Sequence, residues 1–95
     1  MSSGDRTTLR FEGDLDIVTS EEMKRQLAAL VESGTSKVTI DLSDVGFVDS
    51  SGLGALVAVH HLAQARGAEL VVRQAPPHVQ DLFALTRLDA LLRVE

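Results

Sequence analysis

The 95-residue sequence contains no cysteine, which excludes disulfides, thiolate nucleophiles and thiolate metal sites. Aromatic side chains are scarce, with three phenylalanines and neither tyrosine nor tryptophan. The stacking platforms that single-stranded nucleic acids and sugars use are therefore missing. No run of about 18 apolar residues occurs, so no membrane span is expected. No apolar signal core follows the opening MSSGDRTT, and a cytoplasmic location is expected. Positive charge is also in short supply: 9 Lys+Arg against 14 Asp+Glu leave a formal net charge of −5. That balance disfavours nucleic acid and anionic membrane surfaces as partners. The whole excess falls between Met1 and Asp49, while Ser50 to Glu95 is neutral.

Apolar residues are plentiful, at 44% of the chain, and spread along it. One compact domain over residues 1–95 follows, with residues 1–5 expected to be flexible. The pattern alternates between strand and helix periods, the mark of an α/β fold. Thr7–Glu12 alternates as a strand with Leu9 and Phe11 on one face, and Gly13-Asp14 breaks it. Thr19 with Glu22 reads as a capping box opening a helix. Met23, Leu27, Leu30 and Val31 form the buried stripe of that helix, and Gly34 suits the left-handed position after it. Lys37–Leu42 is a second strand, with Val38, Ile40 and Leu42 pointing one way.

A second helix is expected from about Ser51 to Arg66, ended by Gly67, and Glu69–Arg73 reads as a covered central strand. Pro76-Pro77 opens a third helix with Val79, Leu82, Phe83 and Leu85 as its inner face. Leu91–Val94 is either a last edge strand or a packed tail. The expected architecture is a three-layer domain, a small mixed sheet of four or five strands with helices packed on it.

The segment Val48-Asp49-Ser50-Ser51-Gly52-Leu53-Gly54 joins the second strand to the second helix. Ser50 falls where an N-cap belongs, so one reading has Asp49 and Ser50 simply capping a helix. Two features favour more. Gly52 and Gly54 in the opening turns each cost about 1 kcal/mol relative to alanine, which suggests close approach of something to the backbone. Gly54, Val57 and His61 also follow Ser50 along one outward strip, at ~100° per residue, while Leu56, Val59, Leu62 and Ala63 face the core. Such a strip suits docking of another protein.

A hydroxyl at a helix N-terminus can carry a phosphate without unfolding the helix, because the helix dipole favours negative charge there. With Asp49 adjacent, and Asp14 and Asp16 expected nearby, phosphorylation at Ser50 would deepen an acidic patch. Other chemistries fit less well. The residues before Ser50 do not form a Gly-x-Ser-x-Gly elbow, and His60 and His61 are expected on a solvated helix face. No i, i+4 metal-binding cluster and no nucleotide-binding glycine fingerprint occurs, so no metal, cofactor or catalysis is expected.

Three stretches resemble the anti-sigma factor antagonists of the STAS domain family. They are Gly13-Asp14-Leu15-Asp16, the block Ile40-Asp41-Leu42 through Phe47-Val48-Asp49-Ser50-Ser51-Gly52-Leu53-Gly54, and Gly67-Ala68-Glu69-Leu70 through Leu82-Phe83. The resemblance implies a non-enzymatic partner-switching regulator in the bacterial cytoplasm. It implies that an ATP-binding serine kinase, itself the anti-sigma factor, phosphorylates Ser50, with Ser51 as neighbour. The unmodified form then binds the anti-sigma factor and frees the sigma factor. The phosphorylated form lets go until a phosphoserine phosphatase resets it. Asp16 matches an aspartate of the kinase interface, and Asp49, Ser51, Gly52, Gly54, Val57 and His61 complete the expected partner surface. The alternative is a scaffold or transporter-associated subunit of the same fold that is never phosphorylated. This sequence departs from the family with Asp14 in place of glutamate, Arg87 where glycine is common, and little room for a strand before Thr7.

Overall fold

The computed structural model describes residues 6–95. The expected flexibility of residues 1–5, and any strand formed there, lie outside the described residues. Among the described residues four strands and four helices follow one another as β1 (Arg6–Glu12), α1 (Ile17–Glu32), β2 (Lys37–Asp44), α2 (Ser50–Ala65), β3 (Glu69–Arg73), α3 (Pro77–Leu85), α4 (Leu88–Leu91) and β4 (Arg93–Val94). Leu91–Val94 thus resolves into the end of a short helix and a two-residue edge strand.

The sheet has the order β1-β2-β3-β4. A mixed sheet was expected, whereas among the described residues all three pairings are parallel. Every strand-to-strand connection carries a helix, which returns the chain to the starting edge and makes the next strand parallel. The strand order steps in one direction, and right-handed crossovers then bring the connecting helices to one side of the sheet.

The expected three layers are accordingly two. One core cluster joins Val38, Ile40, Leu42, Leu70 and Val72 of the sheet to Met23, Leu27, Leu56, Val59, Val79 and Phe83 of the helices. Strand alternation turns Thr8, Arg10, Thr39, Asp41, Val71 and Arg73 to the other side. Gly34 and Gly67 have φ of 98° and 72°, the left-handed conformation that glycine adopts at least cost just beyond a helix. Leu85 does not join the inner face of α3, being 82% exposed.

The ends of β1 and β2 position everything that follows. A register shift between Arg10 and Glu12 ends regular pairing, and the chain re-pairs once more through a single parallel bridge, Leu15 to Val48. Leu15 donates its amide to the Phe47 carbonyl at 2.7 Å and accepts the Asp49 amide at 3.0 Å. Both bridge residues are buried. The starts of α1 and α2 are thereby fastened side by side at the carboxyl ends of parallel strands, where open α/β sheets usually place their sites.

Candidate functional site

Each helix is capped by the residue after its bridge partner. Asp49 is extended (φ −98°, ψ −174°) and its carboxylate caps α2. Asp49 Oδ1 accepts the amides of Ser51 at 2.8 Å and Gly52 at 3.2 Å. The expectation of Ser50 as N-cap is therefore corrected: Ser50 is the first helical residue, and it is exposed. Serine and aspartate are comparable caps, so local preference leaves the choice open. Burial of Val48 against the core settles it by fixing where the chain turns.

The same shift occurs at α1. Asp16, not Thr19, is the N-cap, accepting the amides of Val18 and Thr19 at 2.9 Å each. Thr19 stands at the third helical position and its hydroxyl accepts the Asp16 amide at 2.9 Å while donating to the Asp14 carbonyl at 2.6 Å. The hydrogen bonds from Thr19 hold the Asp16 carboxyl below its ordinary value, so Asp16 is ionised at neutral pH. The bridge sets Asp14–Asp16 alongside Phe47–Asp49, which places the start of α2 in negative surroundings.

The two glycines of the motif have different roles. Gly52 is buried, and a Cβ there would lie 2.9 Å from Val48 Cγ1 and 3.0 Å from Leu15 Cβ. The close approach inferred for it is made by the bridge itself, not by an outside partner. At Gly54 an added Cβ would meet nothing within 4 Å. Ser50, Gly54 and His61 are exposed and Val57 is half-buried, while Leu56, Val59 and Ala63 are buried. Ser51 lines a groove between α1 and α2.

His60 is not on a solvated face as expected. It is buried, and its Nε2 has no hydrogen-bond partner among the described residues. His78 Nε2 instead hydrogen-bonds the Gly46 carbonyl at 2.8 Å and pins the loop before α2. Among the described residues no hydrogen bond joins an imidazole to the Ser50 hydroxyl.

Sequence reasoning missed three exposed apolar side chains at this end of the molecule: Ile17, Val18 and Phe47. Val18 carried a usable signal, since it precedes Leu27 by nine residues and so lies about half a turn from the buried stripe. Phe47 is in a loop, where no periodicity assigns a direction.

Comparison with known proteins identifies the family and the fold. The family described as "Mlab, STAS domain" matches residues 1–93. An anti-sigma-B factor antagonist of Staphylococcus aureus is 29% identical over 86 residues, 90% of this chain and 80% of the relative. The crystal structure of an anti-sigma factor antagonist from Mycobacterium paratuberculosis is 30% identical, with a TM-score of 0.76 over 92% of this chain and 74% of that one. The Bacillus cell fate determinant SpoIIAA in its phosphorylated form shares the fold, with a TM-score of 0.72, 18% identity and coverage of 94% of this chain and 82% of that one.

Proposed function

Since the chain belongs to the STAS domain family, we propose that it is a bacterial, cytoplasmic anti-sigma factor antagonist switched by phosphorylation of Ser50. In this reading the unmodified protein binds a serine-kinase-type anti-sigma factor and releases the sigma factor. Phosphorylation ends that binding, a phosphatase restores it, and the chain itself catalyses nothing. The surface that meets the partner comprises Ser50 with Asp16, Asp49, Ser51, Gly54, Val57 and His61. Gly52 supports it from beneath.

One observation carries the reading: Ser50 is exposed at the first helical position while Asp49 does the capping. The hydroxyl thus has no structural duty that modification would abolish. Asp49 already holds the Ser51 and Gly52 amides, so a phosphate on Ser50 finds those donors taken and projects its charge outward. At pH 7 it adds about −1.5 to −2 charge beside Asp49 and Asp16. The surface then repels a partner selected for the milder charge of the unmodified state, and the backbone keeps its course. The shared fold of phosphorylated SpoIIAA supports that last point.

The test is incubation with the purified ATP-binding serine-kinase anti-sigma factors of the same genome. One phosphate is expected on the wild type and none on Ser50→Ala. Ser50→Ala should bind like the unmodified protein, and Ser50→Asp should bind more weakly. Stoichiometric phosphorylation of Ser50→Ala, or equal affinity of the two variants, overturns the assignment. Capture of a transporter ATPase in place of any such kinase favours the scaffold alternative.

A further inference from the structure

We propose that the outer edge of β1 pairs antiparallel with β1 of a second copy of this chain, joining two four-stranded sheets into one of eight strands. The contact lies apart from the switch at Ser50 and does not depend on it.

The two edges of the sheet differ. At one edge β4 has only two residues, and a very short edge strand is one way in which proteins prevent further pairing. At the other edge β1 has seven, and among the described residues no strand pairs with its outer side. Alternate residues of β1 therefore hold backbone amides and carbonyls that β2 does not engage. The strand is also regular enough to be paired again. Where the register shifts, β1 advances from Arg10 to Glu12 while β2 advances from Asp41 to Asp44, so the extra residue lies in β2 and β1 keeps its alternation. Leu9 and Phe11 pack against the core but are only half-buried, whereas Val38, Ile40 and Leu42 of the next strand are buried. The edge is thus incompletely covered on its apolar side as well.

The side chains select the occupant and its register. Antiparallel pairing centred on Leu9 sets that residue against Leu9 of the second copy, and Phe11 against Thr7, all on the helix side of the sheet. On the opposite side it sets Arg6 against Glu12 of the second copy, twice by symmetry, and Thr8 against Arg10. Centring on Thr8 instead would oppose Arg6 to Arg10, and centring on Arg10 would oppose that residue to its own copy. Both alternatives bring like charges together, which is destabilising. Within one chain Arg10 is engaged with Asp44, while among the described residues neither Arg6 nor Glu12 has an ion-pair partner. The charges left over at the two ends of β1 are therefore opposite in sign, and they meet in the register that also brings Leu9 to Leu9. A twofold axis at Leu9 makes the contact self-complementary and closed, so assembly stops at two copies. Because the paired strands run in opposite directions, the two Ser50 ends point away from each other and stay open.

The test is sedimentation equilibrium of the purified full chain over a concentration series reaching about 1 mM, since small interfaces associate weakly. A monomer–dimer equilibrium is expected. Arg6→Glu and Glu12→Arg each oppose like charges at both symmetric positions, and each should weaken the dimer about tenfold. The double variant Arg6→Glu/Glu12→Arg should restore it to within about threefold of wild type. Both residues are exposed, so the monomer fold should survive each change, which circular dichroism verifies. In hydrogen exchange of the wild type, the β1 amides that β2 does not engage should gain protection as concentration rises. A wild type that stays monomeric across the series overturns the proposal, as does a dimer indifferent to both single variants. Failure of the double variant to restore the dimer overturns the register. Equal protection of those amides at every concentration would show the chain covering its own edge, and overturns the proposal too. None of these outcomes bears on the phosphorylation of Ser50.

Discussion

Leu15 and Val48 face each other across one parallel bridge, and the residue after each is an aspartate that caps a helix. Two helix starts are thereby set by a single tertiary contact, and Ser50 is left one position inside α2 with its hydroxyl outside the capping scheme.

Asp49→Ala should therefore destabilise the protein by about 1 kcal/mol, the usual value of an N-cap carboxylate. Ser50→Ala should change stability by no more than about 0.5 kcal/mol, as for an ordinary surface position. Urea denaturation of the two variants checks this. The reverse ranking would mean that Ser50 is the cap.

The motif glycines should respond in opposite directions to the same substitution. Gly52→Ala forces a methyl group to 2.9 Å from Val48 and 3.0 Å from Leu15. Such overpacking typically costs about 1–3 kcal/mol, offset in part by better helix propensity. Gly54→Ala adds its methyl in open space and should stabilise by up to about 1 kcal/mol. Thermal melts of the pair provide the measurement, and equal shifts would contradict the assignment of Gly52 to internal packing.

His60→Leu is expected to stabilise. Its buried Nε2 has no partner among the described residues, and an unsatisfied buried polar group costs about 1–3 kcal/mol. Replacement by an apolar side chain of similar volume usually costs less than about 1.5 kcal/mol. A raised melting temperature is the expected outcome. A clear loss of stability would show that an ordered water satisfies the imidazole.

Acid should weaken the fold through Asp16 and Asp41. Thr19 lowers the first and Ser43, by side-chain and backbone hydrogen bonds, the second, both from an ordinary value of 3.8. Because the folded values lie below the unfolded ones, this stabilisation is fully present above the ordinary value and disappears as pH falls through the folded ones. Asp16→Asn keeps a capping side chain but removes one titration. Its stability should match wild type at neutral pH and fall less steeply in acid, as measured by denaturant unfolding across a pH series. An unchanged acid limb would remove Asp16 from the account.

Element type was legible because Met23, Leu27 and Val31 repeat at the helical period, and Val38, Ile40 and Leu42 alternate. Strand direction was legible too, and the expectation of a mixed sheet passed over it: a helix stands between each pair of consecutive strands, and such crossovers join parallel neighbours. The motif around Ser50 was readable down to its outward strip of Gly54, Val57 and His61. Its capping pattern was misplaced at both helices for one reason: Asp16, Thr19, Asp49 and Ser50 are all acceptable caps, and the choice is made by Leu15 meeting Val48, 33 positions apart in sequence. His60 and His61 look alike in sequence, and only the packing of α2 decides which of them is covered.

Because its helices gather on one side, the protein has a front and a back. The back is the strand surface bearing Thr8, Arg10, Asp41 and Arg73, with Thr39 and Val71 buried within it, turned away from the serine proposed as the phosphorylation site. A label, surface linkage or fused domain attached through that surface should leave the regulatory end unobstructed, which makes it the natural handle for a sensor reporting the phosphorylation state.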